Sequence, residues 1–79
     1  MLEELTGRAR VVGFKQSRRA IAQGLAARVY LACDADPALT ERVDALCAAV
    51  PVEKDATMAQ LGAAAGIAVG AAVVTLLNG

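Results

Sequence analysis

The sequence predicts an α/β fold, a sandwich with helices covering both faces of a small sheet, and three observations predict it. Short β-prone runs alternate along the chain with short segments of helical periodicity. Glycine or proline stands at most joints between them, as at Gly13, Gly24, Pro37 and Pro51. The chain has 79 residues, of which 57% are hydrophobic and only 3% aromatic. That is room for a single domain over 1–79, with a core built from closely packed Ala, Val, Leu and Ile. Small side chains bury little area each, so modest stability is expected.

Taken in order, Leu2 to Thr6 reads as a short helix stopped at Gly7. Ala9 to Val12 reads as a short strand ending at Gly13, and Ser17 as the N-cap of a helix that runs to about Gln23 and closes at Gly24. Arg28 to Cys33 (RVYLAC) is β-rich and mostly apolar, as a buried strand would be. Asp36 followed by Pro37 is a helix start: the carboxylate accepts from free backbone N–H groups and proline fits the first helical position. Leu39, Val43, Leu46, Cys47 and Val50 then fall at helical spacing until Pro51, and Val52 begins a very short strand.

Two organisations compete for Thr57 to Leu77. Its apolar length approaches a membrane span, and Gly62, Gly66 and Gly70 form two overlapping GxxxG motifs, the spacing that lets membrane helices approach. Against this, Ala and Gly contribute little to insertion, Gln60 lies inside the stretch, and no Lys or Arg follows it. The favoured organisation is a helix from about Thr57 to Ala65, a turn at Gly66 to Gly70, and a strand from Ala71 to Leu76.

Formal net charge is zero, but the distribution is uneven. Residues 1–30 carry Arg8, Arg10, Lys15, Arg18, Arg19 and Arg28 against Glu3 and Glu4, a net of +4. Residues 31–79 carry Arg42 and Lys54 against Asp34, Asp36, Glu41, Asp44, Glu53 and Asp55, a net of −4. Such asymmetry points to a polyanion site, or to a solvated face that happens to be basic. Cys33 and Cys47 are too far apart for a CxxC motif and there is no His, so both are expected to be small core residues in a reducing compartment, with no metal and no cofactor. Glu3 and Glu4 stand where a secretory leader would be positive, so a cytoplasmic location is expected. Nothing resembles a nucleophile with its base, and no enzymatic activity is expected.

The stretch Gly13-Phe14-Lys15-Gln16-Ser17-Arg18-Arg19 is the most informative. A glycine at a strand-to-helix turn lets backbone approach a ligand, a helix N-terminus offers unpaired N–H groups to phosphate, and Lys and Arg supply charge. Gln16 adds an amide able to donate to and accept from base edges. The spacing is neither a P-loop nor a dinucleotide fingerprint, so no nucleotide cofactor is inferred.

The runs GFKQSRRAIAQG, VYLACDADPALTERV and MAQLGAAAGIAVGAAVV, in that order, resemble the ribosomal protein L-seven-Ae and L-thirty-e family, particularly its short bacterial members, over nearly the whole chain. The resemblance implies a three-layer α/β/α sandwich around a four-stranded mixed sheet. It also implies binding of kink-turn RNA, a sharply bent duplex with tandem G·A pairs. By the same resemblance Gly13, Lys15, Gln16 and Arg19 match the recognition turn, and Ile67, Ala68 and Val69 match a loop whose apolar side chains shield an exposed base. Asp36 matches an acidic position near the extruded nucleotide, although a helix cap explains it equally well. Arg18 and Arg28 would be auxiliary phosphate contacts or surface charges, and Ile67 and Val69 would otherwise be core. Phe14 departs from the pattern, standing where the family usually has a small residue, and the overall neutrality is unusual for it.

Three function classes therefore compete: a ribosomal-type RNA-binding module, expected to be a monomer, whose partner is structured RNA; a protein-interaction or ribosome-assembly module of the same fold; and a membrane-associated peptide. The first is favoured.

Overall fold

The run Val73-Val74-Thr75-Leu76-Leu77 is dense in β-branched and large apolar side chains, and it forms the strand around which the others assemble. The computed structural model describes residues 7–78, so the expected helix over Leu2 to Thr6 lies outside the described residues. The elements are β1 (Arg10–Val12), α1 (Phe14–Ala22), β2 (Ala26–Leu31), α2 (Pro37–Leu46), β3 (Val52–Glu53), α3 (Met58–Ala65) and β4 (Val73–Leu77). They build one sheet in the order β1-β4-β2-β3. β4 pairs antiparallel with β1 and β2, and β2 pairs parallel with β3, so the sheet is four-stranded and mixed as expected.

Alternation along the central strands divides the core into two layers. Val29, Leu31 and Val73 meet Val43 and Cys47, with Phe14, Ile21 and Leu39 of the two helices packed around them. Tyr30, Ala32, Val74 and Leu76 meet Leu61 and Ala65 on the opposite face. Helices α1 and α2 thus cover one side and α3 the other, which is the three-layer α/β/α sandwich. Leu31, Leu61 and Leu76 are among the largest fully buried side chains, and each such burial is worth about 1.5–3 kcal/mol.

Three expectations need correction. Ser17 is not an N-cap: α1 begins at Phe14 and leaves Ser17 within it, 2% exposed, facing the sheet. The helix starts four residues early because Gly13, at φ 98° and ψ 159°, turns the chain at once. Cys33 is exposed, and only Cys47 is a core residue. β2 ends at Leu31, so Cys33 falls in the connection after the strand's buried run. Helix α2 stops at Leu46 rather than running on to Pro51; Cys47 N–H still bonds to the Val43 carbonyl at 3.0 Å, and Val50 packs beneath the sheet as a loop residue.

The membrane alternative ends at Gly66. Helix α3 has 8 residues, and no helix among the described residues is long and apolar enough to cross a membrane. The three spaced glycines serve the chain's own return instead. A Cβ on Gly62 would overlap the Val69 carbonyl, and one on Gly70 would press on Met58 at 3.3 Å. Gly66 takes φ 81°, closing α3 in a Schellman turn in which Gly66 N–H bonds to the Ala63 carbonyl and Ile67 N–H to the Gly62 carbonyl. The small-residue spacing lets loop 66–70 lie against α3, not helix against helix.

Burial, and then the charge of Asp44, push the Cys47 thiol above its ordinary range, and the thiolate is the reactive form. Thiol titration of the native protein is therefore expected to count one fast-reacting cysteine, Cys33, with Cys47 responding only in denaturant. Two fast thiols in the folded protein would contradict this packing.

Candidate nucleic-acid interface

Register brings the predicted segments together. Val12 pairs with Val74 and Leu31 with Val73, so β1 and β2 both finish beside the start of β4. Gly13 N–H donates to the Val73 carbonyl at 2.9 Å, and Ala32 N–H to the Ala72 carbonyl at 2.8 Å. The Gly13 turn, the 32–36 connection and the end of loop 66–70 consequently gather at one end of the sheet.

The helix starts at this end are not alike. Asp36 caps α2 by accepting from Ala38 N–H at 2.8 Å. Thr57 and Gln60 form a capping box on α3, and Asp34 also accepts from Met58 N–H at 2.9 Å. Helix α1 has glycine at its N-cap, no side-chain cap bond and no acidic residue in its first turn. Its first-turn N–H groups have no intrahelical acceptor and carry the positive end of the helix dipole. Lys15, Gln16, Arg18 and Arg19 are exposed on that helix. An external anion meets donors and positive charge there with nothing internal to displace.

Apart from Arg8 and Arg10, which donate to backbone carbonyls, the cations sort into two groups. Arg28 pairs with Glu53 at 2.7 Å and Lys54 with Asp44 at 2.9 Å. Arg28 is thereby held across the β2–β3 edge, which weakens its candidacy as an auxiliary phosphate contact. Lys15, Arg18, Arg19 and Arg42 have no carboxylate partner among the described residues, and all four lie on α1 and α2. Neutrality overall thus coexists with a locally basic surface on α1, because Asp34 and Asp36 accept from helix N–H groups and Asp44 and Glu53 are paired with other cations.

Loop 66–70 differs from expectation in one respect. Val69 is 71% exposed and Ala68 is exposed, but Ile67 is half-buried against the α3-side core. Ile67 follows the left-handed glycine of the Schellman turn, the position whose apolar side chain commonly folds back on the helix. It is an anchor for the loop more than its exposed tip.

Arg10 was not singled out by its sequence context, and it ties the two halves of the surface together. Its Nε and an Nη donate to the Ala65 carbonyl at 3.2 and 2.8 Å, and its other Nη to the Arg8 carbonyl at 3.1 Å. The strand that leads into the Gly13 turn therefore grips the last carbonyl of α3, at the negative end of that helix and the root of loop 66–70.

This arrangement agrees with what the chain resembles. A model described as the ribosomal protein L7Ae/L30e/S12e/Gadd45 family matches residues 4–79. The chain belongs to that family. An RNA-binding protein of Geobacillus kaustophilus is 48% identical over 70 residues, covering 86% of this chain and 85% of that protein. RNA-binding protein YbxF of Geobacillus stearothermophilus is 46% identical over the same shares. In three dimensions the Giardia lamblia 15.5kD RNA binding protein matches with a TM-score of 0.86 at 23% identity, covering 99% of this chain and 69% of that one. A protein of unknown function from Bacillus halodurans matches with a TM-score of 0.87, also at 23% identity, covering 98% of this chain and 83% of that one. At these identities the structural likeness is one of fold, and it confirms the sandwich for this family member.

Arg10→Met keeps the aliphatic stem but removes the grip on Ala65. It is expected to cost about 1.5–3 kcal/mol of stability, the range for hydrogen bonds to a charged group, and to speed amide exchange at Ile67 more than in β2. Equal protection of Ile67 in parent and variant would show that Arg10 does not hold the loop.

Proposed function

We propose that this chain binds structured RNA through the end of the sheet where α1 begins, and that the RNA it prefers is a kink-turn with tandem G·A pairs. The observation that carries this is the glycine-led start of α1, without a side-chain cap, beside Lys15 and Arg19, which have no carboxylate partner among the described residues. Relatives named as RNA-binding proteins at 46–48% identity support the choice of RNA among polyanions.

Each residue has a distinct part. Gly13 supplies a backbone conformation, φ 98° with ψ 159°, that is essentially reserved for glycine. It brings the first-turn N–H groups and the side chains of Lys15, Gln16 and Arg19 to the bend. Lys15 neutralises phosphate, Gln16 offers an amide to base edges, and Arg19 offers a planar fork that matches paired acceptors. Arg18, one strip around the helix from Lys15 and Arg19, is an auxiliary phosphate contact away from the bend. Val69, with Ala68, provides an apolar lid for a base that leaves the stack, and Ile67 seats that lid. Asp36 serves first as the cap of α2, and its second oxygen remains available to an extruded nucleotide. The protein acts as a cytoplasmic monomer and performs no chemistry on the RNA.

Arg19→Ala is expected to weaken kink-turn binding by about 1–3 kcal/mol, roughly 5- to 150-fold, if the guanidinium reads base edges. Gly13→Val should lose most binding, because its added Cβ meets nothing within 4 Å and so acts through backbone strain at the turn rather than through a clash. Parental affinity for a folded Lys15→Ala/Arg19→Ala double variant would sink the assignment.

A further inference from the structure

Phe14 is the residue at which this chain leaves the pattern it resembles, and its ring has a definite partner. The Arg42 guanidinium carbon lies 4.6 Å from the ring centroid, within cation–π range. The pair joins the first residue of α1 to the second turn of α2. Between them lies an open groove of ≈ 270 Å³ lined by Phe14, Arg18, Arg42, Ala45 and Leu46.

Helical spacing explains how the groove acquires its charge. On α1, Phe14 and Arg18 are four residues apart and share one strip, while Lys15 and Arg19 form the next strip about 100° around. On α2, Arg42, Ala45 and Leu46 share a strip facing the groove, while Glu41 and Asp44 lie on a neighbouring one. Asp44 is already bound to Lys54 at 2.9 Å. Two guanidiniums therefore meet one groove with no carboxylate partner among the described residues. Like charges gather in this way at a cost that an incoming anion relieves.

Stacking also prepares Arg42 to bind. A guanidinium held over a ring face still has N–H donors to offer and loses less freedom when it meets an acceptor. The groove is too open to enclose a small molecule, and it continues the basic surface of the α1 turn around the helix without interruption. We infer that the Arg18–Phe14–Arg42 groove is a second RNA-binding site, which takes the phosphodiester backbone of a duplex arm of the same RNA, beyond the bend. This rests on the RNA-binding assignment above, and it adds residues of α2 that nothing in that assignment requires.

The test is the salt dependence of binding to two kink-turn RNAs, one with both arms extended and one trimmed to the pairs flanking the bend. Affinity for duplex falls with salt, and each phosphate that a protein neutralises adds about 0.9 to the steepness of log K against log salt. On the extended RNA, Arg42→Gln and Arg18→Gln are each expected to make the slope shallower by about one. The parental advantage over each variant then shrinks by roughly 3- to 4-fold between 50 and 200 mM salt. On the trimmed RNA their slopes should equal the parent's. Circular dichroism checks that the variants are folded, and Arg18→Gln, which leaves the Phe14 stacking in place, carries the test if Arg42→Gln is not. Parental slopes for both variants on the extended RNA, with a shallower slope for Lys15→Ala, would overturn the groove and leave the turn standing. An equally shallow slope on both RNAs would also overturn it, by moving the two arginines' phosphates to the bend. Parental slopes for all three variants would remove the RNA-binding assignment and the groove with it.

Discussion

The pairing of β4 with β1 on one side and β2 on the other is the constraint from which the rest follows. β4 is buried from Val73 to Leu76, so its register cannot slip by one residue without sending each layer of the core to the wrong face. With that register fixed, β1 and β2 must both end next to Val73. The Gly13 turn, the Asp34–Asp36 connection and loop 66–70 are far apart in sequence, yet they share one end of the molecule. Arg10 and the Gly13 N–H bond to Val73 then fasten the turn and the loop to the same frame.

Electrostatics completes what the register begins. Two helices take polar side chains as caps, whereas α1 takes glycine, which gives up only about a few tenths of a kcal/mol relative to such a cap. What remains is a helix start with open donors in the middle of cations that have no carboxylate partner among the described residues. Because Asp34 and Asp36 accept from the first N–H groups of α3 and α2, and Asp44 and Glu53 are paired with Lys54 and Arg28, a chain of zero net charge still presents a positive surface on α1. A uniformly basic protein would bind RNA more strongly at long range and with less discrimination.

Strand–helix alternation, the Asp36-Pro37 start and the glycine punctuation were legible in the sequence because each is a local signal with a local cause. So was the division of Thr57 to Leu77 at Gly66, where a β-prone run follows a flexible turn. Layer membership and the burial of individual side chains were not, because they depend on which strand becomes central. Ser17 has the chemistry of a cap, and only the sharp turn at Gly13 moves it into the helix interior. Cys33 has the chemistry of a core residue, and it is exposed because β2 stops at Leu31. The GxxxG spacing was visible, but its meaning required the third dimension: Gly62 makes room for a carbonyl seven residues later. Arg10 looked like one more surface charge, since nothing near it in sequence forecasts a bond to Ala65. The basic turn could be read directly because its residues are contiguous, whereas the α1–α2 groove could not, because Phe14 and Arg42 are brought together only by packing.

Shape selectivity is the central claim, and it is measured most directly by titrating the unmodified protein, at one fixed salt concentration, with a kink-turn carrying tandem G·A pairs and with a straight duplex of equal length. A surface built from a glycine turn, a forked arginine and an apolar loop held in one frame should favour the bent RNA by about 10³-fold or more, the lower bound for specific over non-specific nucleic-acid binding. Equal affinity for the two RNAs would mean that the surface is merely a patch of positive charge.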